Sequence, residues 1–311
     1  MSIAEPRDHG GGLDAAIDRF GGTRTGWLDL STGINPLPYP VADPDRDCWT
    51  ALPDRAARNA LESAARRFWD VPQRAAVLAA PGASSLIARI PALHPAGAVR
   101  IDSPTYNEHA GAFRAQGWTL AESAATRVVV HPNNPDGRWW QVEGDLDLLI
   151  VDESFCDITP ERSHIGLAAR PGVVILKSFG KFWGLAGLRL GFAIGDPALI
   201  ARLAELLGPW PVSGPALEIG TRALRDRNWA DTTRTRLRAD AGRLDALMTA
   251  AGAAMVGGTP LFRLYHVENA AAWQTRLARH HIWTRVFPYA SDWLRLGLPH
   301  PDRWAQLENA L

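Results

Sequence analysis

The chain has 311 residues, 46% of them hydrophobic, with 33 basic and 33 acidic side chains. That length favours about two domains and a sizeable core, and the ordinary composition excludes bulk disorder. The balanced charge leaves no basic footprint for nucleic acid, and no apolar run approaches the roughly 18 residues of a membrane span. The opening, MSIAEPRDHGGG, has no apolar stretch of the signal-peptide kind. Cys48 and Cys156 lie far apart, which argues against a disulfide scaffold or a structural zinc site. A soluble cytoplasmic protein without metal, membrane or nucleic-acid partners is expected.

The first forty residues are rich in Gly and Pro and read as ordered loop, because Trp27, Leu28 and Leu30 need burial. Residues 54–68 have apolar positions at helical spacing behind Asp54, a plausible N-cap. Short apolar runs then recur at 75–79, 99–101, 128–130, 148–151, 173–176 and 190–194, with helical stretches such as 107–116 between several of them. Most are unbroken rather than alternating, which predicts an α/β domain with a mostly parallel sheet. A helix is expected to 207, then prolines 209, 211 and 215, then a long helical region over 216–250. The remainder reads as a smaller α+β domain: strand 261–267, helix 270–281, strands 282–286 and 293–298, helix 301–310. The expected division is an arm at 1–44, a large domain at 45–212 and a small domain at 213–311.

Only two basic residues are lysines, Lys177 and Lys181. A lysine can lose its proton and attack a carbonyl, whereas arginine cannot, so Schiff-base chemistry has two candidates. In parallel α/β sheets ligands bind beyond the carboxyl ends of the strands. There the chain carries His131–Gly137 after one run, Asp152-Glu153 after the next, and Lys177–Lys181 after a third. Neighbouring strands would bring an amide, a carboxylate, a hydroxyl and an amine to one crevice. Singly, each has a plain structural reading: a Pro-Asn-Asn-Pro-Asp-Gly turn, a helix-capping aspartate, a solvated lysine. The phosphate-loop pattern G-x-x-x-x-G-K-[ST] is absent, which rejects an NTPase.

The ordered set Asn134, Asp152-Glu153, Ser178-Phe179-Gly180-Lys181 and Gly187-Leu188-Arg189-Leu190-Gly191 resembles the fold-type I pyridoxal phosphate enzymes of the class I/II aminotransferase superfamily. The resemblance covers nearly the whole chain. It implies a large domain with a mostly parallel sheet flanked by helices, a smaller α+β domain, and a homodimer that builds each site from two subunits. It further implies that Lys181 joins the cofactor aldehyde and Asp152 holds the pyridine nitrogen protonated. Asn134 would hydrogen-bond the ring hydroxyl and Tyr106 would stack on the ring. Gly82, Ala83, Ser84, Ser178 and Arg189 would take the cofactor phosphate, and Arg295 the substrate α-carboxylate. Three positions depart from the pattern: Phe155 and Leu52 each stand where relatives have tyrosine, and Gly180 where many have Ser or Thr.

His9-Gly10-Gly11 with Asp29–Pro36 resembles the L-threonine-O-3-phosphate decarboxylases of cobalamin biosynthesis, which Phe155 also fits better than it fits the aminotransferases. That resemblance implies a second anion site for the substrate phosphate, with His9, Gly10, Gly11, Gly33, Ile34, Asn35 and Arg285 as its residues. Arg285 and Arg295 sit ten apart on consecutive expected strands. A histidinol-phosphate-type aminotransferase is the alternative, and a non-catalytic protein of the same fold in corrinoid assembly a remote one.

Overall fold

A computed structural model describes residues 7–141 and 146–311. Residues 1–6, which open the expected arm and the stretch read for a signal peptide, lie outside the described residues. The chain forms two compact units. The larger comprises Pro38–Asn134 and Arg138–Thr233; the smaller takes the described residues up to Leu37 with Pro135–Gly137 and Arg234–Leu311. The chain passes from one unit to the other inside the helix Arg227–Ala250, downstream of the proline cluster.

In the smaller unit, strand β1 (Leu28–Asp29) opens the chain's strand series. The larger unit is built on β2 (Ala76–Ala80), β3 (Ala98–Ile101), β4 (Thr119–Leu120), β5 (Thr126–Val130), β6 (Leu148–Asp152), β7 (Val173–Ser178) and β8 (Gly191–Gly195). They form one seven-stranded sheet in the order β2-β8-β7-β6-β5-β3-β4. Only β8 runs against its neighbours. The unbroken apolar runs of β5, β6 and β8 are buried along their whole length, as strands covered on both faces must be. Helices Ala83–Ile87, Asn107–Ala115 and Pro197–Leu207 supply side chains to one core with Val128, Ile150, Val174 and Leu176. Asp54 caps helix Arg55–Phe68 by accepting from the Ala57 amide at 2.7 Å.

The helical region expected over 216–250 is two helices, Gly214–Arg225 and Arg227–Ala250. Asp226 leaves helical geometry between them, and its carboxylate accepts from the Trp229 amide at 2.9 Å. An aspartate offering its own side chain to a free amide competes with a continuous helix.

The smaller unit's main sheet contains β9 (Ala254–Thr259), β10 (Phe262–His266), β12 (Arg285–Phe287) and β13 (Ala290–Gly297), in the order β12-β13-β10-β9. Short β11 (Ile282–Trp283) instead pairs in parallel with β1. The expected strand 282–286 is thus split between two sheets, and β9, exposed along much of its length, was not evident from hydrophobicity. Among the described residues no helix is long and apolar enough to cross a membrane.

Candidate active site

In the larger unit, strand register gathers the polar clusters. Val130 pairs with Asp152, and Asp152 with Leu176, so the carboxyl ends of β5, β6 and β7 lie abreast. Gly191, the first residue of antiparallel β8, pairs with both Ser178 and Ala80. The segments leaving these ends line one pocket, which includes Ala83, Ser84, Tyr106, Asn134, Asp152, Phe155, Ser178, Gly180, Lys181 and Arg189.

Asp152 is almost fully buried. Its Oδ1 accepts from the Ser154 amide at 3.0 Å and the Ser154 hydroxyl at 2.5 Å, and its Oδ2 lies 2.8 Å from His109 Nε2. Burial alone would raise its pKa, but the hydrogen bonds from His109 and Ser154 outweigh that and hold the carboxyl below its ordinary value. It is therefore an anion at the inner wall of the pocket. His109 lies three residues after Tyr106 in the first turn of helix Asn107–Ala115, and the two rings meet edge to face at 6.1 Å. One helical turn thus supplies a pocket-lining ring and the support for the carboxylate.

The two lysines occupy opposite environments. Lys177 is fully buried, 2.6 Å from Glu153 Oε2 and 3.6 Å from Asp157 Oδ1. Burial favours its neutral form, but the two carboxylates prevail and raise its pKa. Glu153, against the effect of burial, is held below its ordinary value by Lys177, the Ser163 hydroxyl and the His164 amide. Lys177 is thereby locked as a cation, without the lone pair that attack on a carbonyl needs. Lys181 lines the pocket, its Nζ 5.3 Å above the Phe155 ring. Its neighbours Phe179, Phe182 and Trp183 are completely buried. Trp183 stacks between Phe179 and Trp229, with ring centroids at 5.0 and 5.3 Å, and donates to Asp157 at 3.0 Å. The connection is anchored on either side of the one amine that faces the pocket.

Gly82 does not line the pocket but shapes it. Its φ is +81°, and a Cβ there would lie 2.5 Å from a guanidinium nitrogen of Arg189. Bare backbone lets that guanidinium lie against the turn entering helix Ala83–Ile87, close to Ser178 and Ser84 in the pocket wall. Amides, hydroxyls and a guanidinium so grouped fit a phosphate ester. An aromatic ring, a buried carboxylate and an accessible amine complete a donor set that fits pyridoxal phosphate.

His131, Glu153 and Cys156 form a buried cluster of metal-ligand types. Its donors are engaged within the protein: His131 Nδ1 accepts from the Trp140 amide, its Nε2 faces the Arg162 carbonyl, and Glu153 is bound as above. It behaves as a hydrogen-bond network.

The smaller unit holds the remaining expected residues. Arg295 on β13 is directly opposite Arg285 on β12. Arg295 is buried and donates to the Ser31 carbonyl at 2.7 Å; burial and the neighbouring Arg285 charge push its pKa down to about 10. Like charges placed opposite each other in a ladder repel, so the pair favours an anion. The Gly11 amide donates to Ser31 Oγ at 2.7 Å, and a Cβ on Gly10 would come within 2.5 Å of the Ser31 carbonyl oxygen. The His9 backbone carbonyl accepts from Arg285 at 2.5 Å. Asn35 is buried, with its Oδ1 accepting from the Leu37 amide and from Arg236, and Gly33 is buried while Ile34 is partly so. Sequence reasoning did not find His109, Ser154 or Asp8. The first two had a local signal, three residues past the ring and two past the carboxylate; Asp8 had none beyond its place beside His9.

Residues 122–311 match the class I and II aminotransferase family. The chain is 40% identical to a threonine-phosphate decarboxylase of a Sinorhizobium species, covering 96% of this chain and 95% of that one. It is 39% identical to a threonine-phosphate decarboxylase of Pseudomonas aeruginosa, over 98% and 97% of the two chains. In fold it is similar to the histidinol-phosphate aminotransferase of Sinorhizobium meliloti solved with pyridoxal-5'-phosphate, with a TM-score of 0.82 at 17% identity over 99% and 94% of the chains.

Proposed function

The chain belongs to the class I and II aminotransferase family of pyridoxal phosphate enzymes, and from that premise we propose that it decarboxylates L-threonine O-3-phosphate. The products are (R)-1-amino-2-propanol O-2-phosphate and carbon dioxide, and the setting is cytoplasmic cobalamin biosynthesis. The observation that carries this reading is the similarity to threonine-phosphate decarboxylases along nearly the full length of both chains. The facing Arg285 and Arg295 support it, because the substrate bears two anionic groups.

The cofactor, when bound, supplies an electron sink for cleavage of a bond at Cα. Lys181, the amine lining the pocket, would hold it covalently and would be the group placed to return a proton to Cα once carbon dioxide has left. Asp152, kept ionised, would hold a proton at the ring nitrogen. Tyr106 would cover the ring, Asn134 would meet its hydroxyl, and Ser178, Arg189 and the Gly82–Ser84 backbone would bind the phosphate. Arg295 grips the α-carboxylate. Arg285 takes the substrate phosphate, in the segment with His9, Gly10, Gly11 and Gly33–Asn35.

Incubating holoenzyme with L-threonine O-3-phosphate should release carbon dioxide and aminopropanol phosphate together. Amino transfer to 2-oxoglutarate without carbon dioxide would overturn the reading in favour of an aminotransferase. Lys181→Ala should lose turnover by at least about three orders of magnitude and retain no borohydride-fixed cofactor on peptide mapping.

A further inference from the structure

Arg285 already holds an anion. Its Nη1 and Nη2 each lie 2.6 Å from one carboxylate oxygen of Asp8, a two-pronged pair, and Nη1 also reaches the His9 carbonyl at 2.5 Å. The segment that carries Asp8 is stapled further along. The Gly11 amide donates to Ser31 Oγ, and the Gly11 carbonyl accepts from Trp283 Nε1 at 3.0 Å. The Asp8 carboxylate therefore offsets the repulsion between two facing arginines in the same manner as a ligand anion would.

We propose that Asp8 is an internal competing anion, a carboxylate that occupies the Arg285 anion site, that a substrate phosphate must displace, and that thereby sets the apparent affinity of the site. This rests on the reading of Arg285 as the phosphate-binding arginine. A phosphate monoester carries about −1.5 to −2 charges near neutral pH against the single charge of a carboxylate, so it can displace Asp8 from Arg285. Every displacing ligand has its apparent affinity reduced by the fraction of sites that Asp8 holds. The Asp8 side chain is 43% exposed against 12% for Arg285, so solvent moderates the pair and the reduction is about two- to fivefold.

The test compares Asp8→Asn and Asp8→Ala holoenzymes with the parent. Asp8→Asn keeps the shape and removes the charge. In both variants KM for L-threonine O-3-phosphate and the calorimetric Kd for inorganic phosphate should fall two- to fivefold, with the effect in KM rather than in kcat. Values unchanged or raised in both variants overturn the proposal. Arg285→Ala should bind inorganic phosphate more weakly than the parent, and equal binding would overturn it as well. If the parent binds phosphate but does not turn over threonine phosphate, the functional reading fails while the phosphate Kd still reports on Asp8.

Discussion

At the scale of single residues, Asp152 shows how surroundings decide what a carboxyl can do. Its identity and place after an apolar strand were legible. Its ionisation depends on His109, 43 residues earlier in the chain, and that contact exists because β3 and β6, each paired in parallel with β5, deliver their following segments to the same end of the sheet. A hydrogen bond to a charged group contributes about 1.5–3 kcal/mol. His109→Phe should therefore weaken cofactor binding by about tenfold or more, read by fluorescence titration of the apoprotein, while His109→Gln, which keeps a donor, should recover most of it. Equal affinity in His109→Phe and the parent would show that Ser154 alone orients the carboxylate. Lys181 would still be labelled by borohydride in either case, which separates this test from that of the attachment site.

At the scale of elements, β6 and β7 are joined below the pocket by the Glu153–Lys177 pair, one residue away from Asp152 and Ser178 respectively. Removing one member of a buried pair leaves the other uncompensated, at a cost of about 3–5 kcal/mol. Lys177→Met should lower stability to denaturant by that order, and adding Glu153→Gln should restore part of it. No loss in Lys177→Met would mean that Glu153 is satisfied by Ser163 and His164 alone. Because Asp152 and Glu153 are both held below the ordinary carboxylate range, they stabilise the fold above about pH 4, and this is lost as pH falls through their depressed values. The connection bearing Lys181 is held by large aromatic anchors, a legible feature, since Phe179, Phe182 and Trp183 are too apolar for a solvated loop. The break at Asp226 was hidden, because aspartate is tolerated inside a helix until a neighbouring amide claims its side chain.

At the scale of the whole molecule, three large apolar side chains in one stretch of the larger unit stay exposed: Val41 at 51%, Trp49 at 66% and Leu52 at 70%. Exposed apolar side chains of this kind suit an association surface, as the proposed homodimer requires. Trp49→Glu combined with Leu52→Glu should halve the mass in sedimentation equilibrium and reduce activity. A parent that sediments at 33.9 kDa with full activity would exclude the dimer.

The chemistry this protein can perform was written in residue types and their order, because two lysines in 311 residues leave few ways to make an imine, and unbroken apolar strands require burial on both faces. Which lysine is locked in a buried ion pair and which lines the pocket, which groups ionise Asp152 and which anion rests on Arg285 were settled only by folding. Protonation and pairing follow local dielectric and nearby charge, and those come from segments separated in the chain that the fold brings within 3 Å.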